Sequence, residues 1–387
     1  MKDRLNIFGV LSLSFLAITA TSQNFDSLAS TQRELVRRAD SLMANYKFEG
    51  ALKVLTKTDS VQTDILLRIG QCHFRLGASG AAIRPYEQVL QMDSTNVTAL
   101  IQLGQLYARN GDFAKALSSF VRLIKLDSMN SYYYKQAGSM AMGSGEIMTA
   151  RYWFKKALDF NTADVEASLA LGNILMEMEG YEEVDGIVRQ ALTVDPQFKP
   201  MLLLGAKSAF EQHKYESVII TINKLLENSD TTALSARLLG VSYFQLQEYS
   251  KVVRCMQFLL QNRYENEWIY YYMGVATREL DDLPASIAWF KLAVQKSISE
   301  NTKTYYSHLG QSYEEMEDYP EAIRAYRAAY NYSKDGIILY HLARNYDIYY
   351  KDKATALAYY QKYLESDDTI RLAREYARRR MQDMGKF

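Results

Sequence analysis

The chain has 387 residues, of which 48% are hydrophobic and 23% charged. It can therefore bury a large core, which excludes a disordered chain and a collagen-like fibre. Its 45 basic and 45 acidic residues give a net charge of zero, so nucleic-acid binding through bulk charge is not expected. Two cysteines, Cys72 and Cys255, are too few for a disulfide scaffold or a structural zinc site. We predict a folded protein that is stabilised by packing.

The first 22 residues have the pattern of a secretory signal peptide. Lys2 and Arg4 precede the apolar run Leu5–Ala20, and Ala20–Ser22 are small residues that suit cleavage after Ser22. A helix over this run rises about 24 Å, less than the roughly 30 Å hydrocarbon core, so a retained anchor is the weaker alternative. We expect residues 1–22 to direct export to the periplasm or envelope, with no later transmembrane segment.

Small residues recur through the rest of the chain with a period close to 34. The steps are 34 from position 70 to position 274, then 36 and 33, in the series Gly70, Gly104, Gly138, Gly172, Ala206, Gly240, Gly274, Gly310 and Ala343. Each member lies in a helical pattern, where Gly costs about 1 kcal/mol relative to Ala. We infer that a second helix crosses at each of these positions too closely for a side chain.

The crossing helix has its own markers. Twelve residues after the small site another small residue recurs, as in Ala82 and Ala116. A large side chain follows four residues later, and it is aromatic in Tyr86, Phe120, Phe154, Phe290, Tyr326 and Tyr360. Four residues are about one helical turn, so both markers lie on one face. The spacing predicts helix pairs in which a small residue of the first helix meets a large residue of the second.

One repeat shows these markers together, in Leu103, Gly104, Tyr107, Ala116, Phe120 and Asp127. This motif resembles that of the tetratricopeptide repeat (TPR) family, and the resemblance extends over residues 32–366 in about ten units. It implies an all-α, right-handed α-solenoid of helix-turn-helix repeats whose first helices line a concave groove for a partner protein or peptide. Some TPR domains clamp a carboxylate with Lys and Asn, but Ser139 replaces the Asn that would follow Lys135, so that activity is not carried over.

The residue after each small site is polar in seven of nine repeats, namely Gln71, Gln105, Ser139, Asn173, Lys207, Gln311 and Arg344, with Val241 and Val275 as exceptions. We expect this line of residues to face the groove, although simple solvation would also explain it. The strongest candidate for partner binding is Trp268, Tyr271 and Arg278, because Trp, Tyr and Arg are enriched in binding hot spots. Gln311, Tyr340 and Arg344 of the next repeats complete the predicted site.

The segment from Glu265 to Glu321 contains 11 acidic and 4 basic residues. A basic or aromatic-bearing peptide would suit an acidic groove. The alternative interpretation is that the acidic residues form a solvated face and that the aromatic residues stack on the preceding repeat, which we expect for Tyr272.

The four histidines do not form a metal-binding pattern in the sequence, and phosphate-loop, nucleophile-elbow and H-E-x-x-H motifs are absent. His308 and His341 occupy equivalent positions in adjacent repeats, about 10 Å apart, which is too far to share a metal ion without help from Glu314 or Asp347. Partly buried histidines are the favoured interpretation. We predict no enzymatic activity, no catalytic residues, no cofactor and no metal.

The last nineteen residues, Thr369–Phe387, carry six basic and two acidic side chains. An apolar stripe at helical spacing comprises Ile370, Ala373, Ala377, Met381 and Met384, while Arg371, Arg374, Arg378 and Arg379 lie on other faces. We expect residues 367–387 to form a basic helix that caps the solenoid. Contact with anionic lipid, glycan phosphate or an acidic protein is the alternative.

The sequence thus predicts a non-enzymatic TPR scaffold outside the cytoplasm that binds a protein or peptide partner, and no nucleic acid. The alternative is a structural assembly subunit of a cell-envelope machine, peripherally associated with the envelope through its edges and its basic C-terminal helix.

Overall fold

The computed structural model describes residues 31–57, 62–227, 231–297, 301–368 and 370–385. All regular structure in these ranges is α-helical, which confirms the predicted all-α class, and we number the helices α1–α21 in chain order. None of these described helices has both the length and the apolar composition that crossing a bilayer requires. The predicted signal peptide, residues 1–22, lies outside the described residues.

The first of two compact units extends to Met178 and includes Thr193–Asp195. Its helices are α1 (31–44), α2 (Phe48–Leu55), α3 (Thr63–Arg75), α4 (Ser79–Met92), α5 (Val97–Arg109), α6 (Phe113–Leu126), α7 (Ser131–Gly143), α8 (Ile147–Phe160) and α9 (Val165–Glu177). Consecutive helices from α2 to α9 pack on one another, so this unit is a stack of helix-turn-helix pairs.

The second unit comprises Glu179–Leu192 and the residues from Pro196 onward. Its helices are α10 (Tyr181–Val194), α11 (Lys199–Glu211), α12 (Tyr215–Leu226), α13 (Ala233–Gln245), α14 (Tyr249–Gln261), α15 (Glu267–Glu279), α16 (Leu283–Lys296), α17 (Thr302–Glu315), α18 (Tyr319–Tyr332), α19 (Gly336–Tyr349), α20 (Ala354–Glu365) and α21 (Arg371–Asp383). From α11 to α21 each helix packs on the next, again in pairs.

The periodic glycines lie inside first helices and touch the large residues of second helices, as predicted. A Cβ atom added to Gly70 or Gly104 would come within 2.7 Å of the rings of Tyr86 and Phe120, respectively. In the second unit an added Cβ would lie 2.8 Å from Phe290 at Gly274 and 2.9 Å from Tyr326 at Gly310. Real Cβ atoms do not approach other atoms so closely, so the helix crossing itself requires glycine.

Most turns inside a helix pair contain one residue in the left-handed conformation, although the turn between α19 and α20 does not. In the first unit this residue is Tyr46, with φ of 58°, or Gly77, Gly111 and Gly145, with φ of 77°, 81° and 80°. The Asp112 amide then donates to the Tyr107 carbonyl over 2.8 Å, which ends α5 in a Schellman motif. Residues other than glycine take the same conformation later in the chain, at Glu179, His213, Gln247, Asp281 and Glu317. The turns therefore have a second 34-residue period.

The C-terminal helix α21 packs on the preceding pair. Ala373, Ala377 and Met381 are buried in one cluster with residues of α19 and α20, including Tyr360. Arg374 donates to the carbonyls of Leu364, Ser366 and Asp368 at the end of α20 over 2.6, 3.2 and 2.8 Å. Part of the predicted apolar stripe thus lies in the core of the second unit.

Candidate functional site

The predicted partner-binding residues lie on three first helices of the second unit. Trp268, Tyr271 and Arg278 are on α15, Gln311 is on α17, and Tyr340 and Arg344 are on α19. Trp268 and Arg278 are ten residues apart, which separates them by about 15 Å along the helix axis. The structure accordingly divides the six residues into three groups rather than bringing them into one patch.

Tyr271, Arg278 and Gln311 surround His308. The Tyr271 hydroxyl lies 3.4 Å from His308 Nε2, and Arg278 Nη1 lies 3.2 Å from His308 Nδ1. Arg278 Nη1 also donates to Gln311 Oε1 over 2.8 Å, while Nη2 pairs with Glu279 over 3.1 Å. The His308 ring stacks on Phe290 at a centroid distance of 5.5 Å. These contacts link α15 to α17 through buried or half-buried polar groups.

The protonation of His308 follows from its neighbours. A guanidinium group can only donate, so Nδ1 of His308 must accept from Arg278 and the ring proton lies on Nε2, facing the Tyr271 hydroxyl. Burial, and then the positive charge of Arg278, lower the pKa of His308 to about 4. His308 is therefore neutral at pH 7 and accepts a hydrogen bond from Arg278.

Tyr340 and Arg344 face the C-terminal helix. The guanidinium carbon of Arg344 lies 5.7 Å from the ring centroid of Tyr340 and 5.9 Å from that of Tyr376 on α21. Tyr340 and Tyr376 also make an edge-to-face contact, with their centroids 5.9 Å apart. Both predicted groove residues are thus partly covered by a segment of the same chain.

Arg344 also compensates a buried carboxylate, Glu314 of α17. Its Nη1 lies 3.4 Å from Glu314 Oε1, and the Tyr326 hydroxyl donates to Oε2 over 3.0 Å. His341 Nδ1 lies 3.5 Å from Oε2, a long contact that does not satisfy hydrogen-bond geometry. Burial opposes ionisation of Glu314, but contacts from His341 and Asn345 and the charge of Arg344 outweigh it and lower the pKa.

Trp268 lies elsewhere, beside an open cavity of about 510 Å³ where α14 ends and α15 begins. We call this the Trp268 cavity, and its lining consists of Ala233, Leu234, Arg237, Leu259, Arg263, Tyr264, Glu265, Asn266, Trp268 and Ile269. The half-buried indole makes an edge-to-face contact with Tyr272 at 5.9 Å, which fixes its orientation. The cavity lining therefore combines apolar side chains with the charged residues Arg237, Arg263 and Glu265.

The charges of the Trp268 cavity are unbalanced. Arg237 and Arg263 are exposed, and neither has an ion-pair partner among the residues that the structure describes. The single carboxylate in the lining, Glu265, is 3.0 Å from Lys296 Nζ. Sequence reasoning did not select Arg263, whose backbone has a φ of 63°, because the tight turn that brings it near Trp268 has no glycine to mark it.

The structure also gives the surroundings of Tyr272 and of the residues that follow the small sites. Tyr272 packs on Phe244 of the preceding pair at a centroid distance of 4.7 Å, as predicted. In the line expected to face the groove, Gln71 and Asn173 are exposed, whereas Val275 is buried with only 6% exposed. Val275 belongs to the core cluster that contains Phe290 and Tyr326, so the line is not solvated along its whole length.

The two histidines at equivalent repeat positions, His308 and His341, have similar surroundings. His308 stacks on Phe290 and His341 on Tyr326, the latter at a centroid distance of 5.0 Å, and each ring is partly covered. Among the described residues, no three His, Cys, Asp or Glu side chains are grouped closely enough to hold a metal ion.

The family comparison identifies two segments. Residues 101–165 and residues 304–335 each match a family model described as tetratricopeptide repeat. The first segment begins in α5 and the second lies in α17 and α18, so both fall on the glycine-containing pairs. No curated protein shows significant similarity to the chain.

Solved structures with similar folds are distant in sequence. A tetratricopeptide repeat protein from Parabacteroides merdae is 17% identical, with a TM-score of 0.44 over 73% of this chain and 99% of that one. YrrB, described as a TPR protein with an unusual peptide-binding site, is 15% identical, with a TM-score of 0.42 over 49% of this chain and 96% of its own. The Cut9–Hcn1 structure is 18% identical, with a TM-score of 0.41 over 88% of this chain and 82% of the matched one.

Proposed function

Because this chain is a tetratricopeptide-repeat protein, we propose that it is a non-enzymatic scaffold that binds a partner protein or peptide at the second unit, around Trp268. The observation that supports this site is the Trp268 cavity, where a half-buried indole and two arginines that form no ion pair within the described part of the chain line one opening. Trp and Arg side chains in such a setting are common binding hot spots. TPR repeats bury their apolar faces by stacking, which leaves exposed surfaces of this kind for partners.

The other predicted residues have a supporting role in this proposal. Tyr271 and Arg278 are engaged with His308, and Gln311 accepts a hydrogen bond from Arg278. Tyr340 and Arg344 are engaged with Tyr376. Side chains that already satisfy one another would lose those contacts on meeting a partner. We therefore place the centre of binding at Trp268. We regard Tyr271, Arg278 and His308 as residues that support the structure of the same unit.

We further propose that the protein acts outside the cytoplasm, in the periplasm or at the envelope. This rests on the sequence of residues 1–22, with its basic start, apolar run and small residues before Ser22. The zero net charge supports a partner other than nucleic acid. The sequence contains no phosphate-loop, nucleophile-elbow or H-E-x-x-H motif, and we propose no enzymatic activity, no cofactor and no metal ion.

A photo-crosslinking experiment in the cells of origin tests the binding site. The photoreactive residue p-benzoylphenylalanine replaces Trp268 in one variant and Tyr152, which is 53% exposed in the first unit, in the control variant. We expect a crosslinked partner from position 268 and none from position 152. Mass spectrometry then identifies this partner, which should bind purified Trp268→Glu protein at least about tenfold more weakly than wild type. Equal crosslinking at both positions, or unchanged binding by Trp268→Glu, would contradict the proposal.

The second candidate function is a structural subunit of an envelope assembly that makes contact through α21. It is favoured by the exposed face of that helix, where Leu372 is 78% exposed beside Arg371, Arg378 and Arg379. Deleting the helix would uncover Tyr340 and Tyr363, so charge reversal is the cleaner test. If Arg378→Glu with Arg379→Glu abolishes envelope association while crosslinking from position 268 persists, the second function is the better one.

A further inference from the structure

We propose that the Trp268 cavity binds an acidic peptide segment, with carboxylates against Arg237 and Arg263 and an apolar or aromatic side chain against Trp268. The inference rests on the proposed partner binding and adds the chemical class of the bound segment. It also reverses the ligand charge that composition suggests for this part of the chain.

The lining of the Trp268 cavity has a positive net charge. Two guanidinium groups face one carboxylate, Glu265, and this carboxylate is itself paired with Lys296 over 3.0 Å. Both members of that pair are about half exposed, so the pair contributes little stability. Even if Lys296 did not neutralise Glu265, two arginines would face one carboxylate and the lining would stay positive. A positive lining favours an anionic ligand and opposes a basic one.

The lining of the Trp268 cavity contains several hydrogen-bond donors. Arginine and the indole N–H can only donate, and a carboxylate can only accept. Arg237, Arg263 and Trp268 therefore present donors, and guanidinium–carboxylate pairs are frequently bidentate. A ligand that carries carboxylates satisfies these donors, whereas a basic side chain would leave them without acceptors.

The Trp268 cavity also has an apolar wall. Leu234 of α13, Leu259 of α14 and Ile269 of α15 line it beside the Trp268 ring. Leu259 and Ile269 are buried in the core, so this wall is rigid, while the indole stays half exposed. An apolar or aromatic side chain next to the acidic residue would cover the indole face and gain contact area there.

Several acidic residues of the segment that contains Trp268 already have partners inside the unit. Asp282 and Asp318 cap α16 and α18 by accepting from the amides of Ala285 and Glu321. Glu314 is compensated by Arg344, as described above, and Tyr305 donates to Glu267 over 3.3 Å. Four of the eleven acidic residues of the segment thus make helix caps or contacts inside the unit.

Binding of synthetic copolymers to the full-length protein tests the charge. The probes are fluorescein-labelled poly(Glu,Tyr), poly(Lys,Tyr) and poly(Glu), and binding is measured by fluorescence anisotropy at low and physiological salt. We expect poly(Glu,Tyr) to bind at least about tenfold more tightly than poly(Lys,Tyr). It should also bind more tightly than poly(Glu), because poly(Glu) offers no side chain for Trp268.

Matched variants place the binding at the cavity. Arg237→Gln with Arg263→Gln should weaken poly(Glu,Tyr) binding at least about tenfold, and Trp268→Ala should remove its advantage over poly(Glu). The control, Arg254→Gln with Arg324→Gln, removes the same charge from exposed positions outside the cavity and should change binding less than about twofold. Each variant is compared with wild type by circular dichroism, and Arg237→Lys with Arg263→Lys keeps the charge if the Gln variant unfolds.

The outcomes separate this inference from the proposed function. Equal or tighter binding of poly(Lys,Tyr), or equal weakening by the control and cavity variants, would overturn the acidic-segment inference. The partner crosslinked at position 268 would then still support a scaffold that binds by other chemistry. Loss of that crosslink would instead remove the proposed function, whatever the copolymers do.

Discussion

Gly104 of α5 lies so close to Phe120 of α6 that a single added carbon atom would come within 2.7 Å of the ring atom Cε2. Phe120 is completely buried, so its ring cannot turn toward solvent to make room. Since the same relationship recurs between Gly70 and Tyr86, the glycine period reflects a packing distance and not local backbone conformation.

Gly104→Ala should therefore destabilise the first unit even though Ala is the better helix former. The gain in helix propensity is about 1 kcal/mol, but overpacking a tight core costs about 1–3 kcal/mol, so we expect a net loss of about 1 kcal/mol. Urea unfolding followed by circular dichroism measures it. Gly186→Ala is the control, because Gly186 lies inside α10 and an added Cβ there meets no atom within 4 Å. That variant should gain about 1 kcal/mol, and equal effects at both sites would contradict the packing explanation.

The left-handed turns predict a stabilising substitution. Gln247 has a φ of 60° at an exposed turn position where the first unit has glycine, and the left-handed conformation costs an L-residue roughly 1–2 kcal/mol. Gln247→Gly should raise the free energy of unfolding by about 1 kcal/mol. The reciprocal change, Gly111→Ala, should lower it by about the same amount. If both substitutions destabilise, another interaction of Gln247 must outweigh its backbone strain.

The helix pairs could be predicted from sequence because one physical constraint recurs at a fixed spacing. Gly104, Ala116 and Phe120 carry that constraint in their own side-chain sizes, and its recurrence at a spacing close to 34 residues makes it recognisable. The turn period was not recognised from the sequence. Gly77, Gly111 and Gly145 mark the left-handed turn position in the sequence. Gln247 and Asp281 adopt the same conformation, but their residue types do not predict it.

The site was harder to predict because its neighbours are set by tertiary contacts. Sequence placed Trp268 and Tyr271 together as adjacent residues of one helix. The structure turns Tyr271 toward His308 on the next first helix and Trp268 toward a turn that contains Arg263. Tyr376 contacts Tyr340 because α21 packs beside α19. The repeat period of the sequence does not predict where α21 packs.

An ion pair with a buried carboxylate connects α21 to α19. Asp347 of α19 is only 4% exposed, and Arg380 of α21 donates to both of its carboxylate oxygens over 2.9 and 3.1 Å. Arg380→Ala should leave Asp347 with Lys353 as its remaining cation and cost about 2–3 kcal/mol. Hydrogen exchange of the α21 amides should accelerate about 30-fold or more, since the loss falls on the helix that the pair attaches.

Arg371→Ala provides the comparison for that experiment. Arg371 is 87% exposed and pairs with Glu375 four residues later on the same helix, so its loss should cost less than about 0.5 kcal/mol. If both variants leave the exchange of α21 unchanged, the Asp347–Arg380 pair does not hold the helix in place.

Stability of the second unit should fall on acidification because of His308. The pKa of this side chain is about 4 in the folded protein, below its ordinary value of 6.5, owing to burial and then to Arg278. Between these values the unfolded chain binds a proton that the folded chain does not, so the contribution is complete above pH 6.5 and is lost as pH falls toward 4. The loss amounts to about 2 kcal/mol at pH 5 and about 3 kcal/mol at pH 4.

Urea unfolding at pH 7 and pH 5 measures this loss, with His308→Gln as the test variant and His73→Gln of the first unit as the control. His308→Gln should lower stability at pH 7 but lose about 2 kcal/mol less than wild type between the two pH values, because glutamine does not titrate. An unchanged pH dependence in His308→Gln, or an equal change in His73→Gln, would show that other groups cause the acid sensitivity.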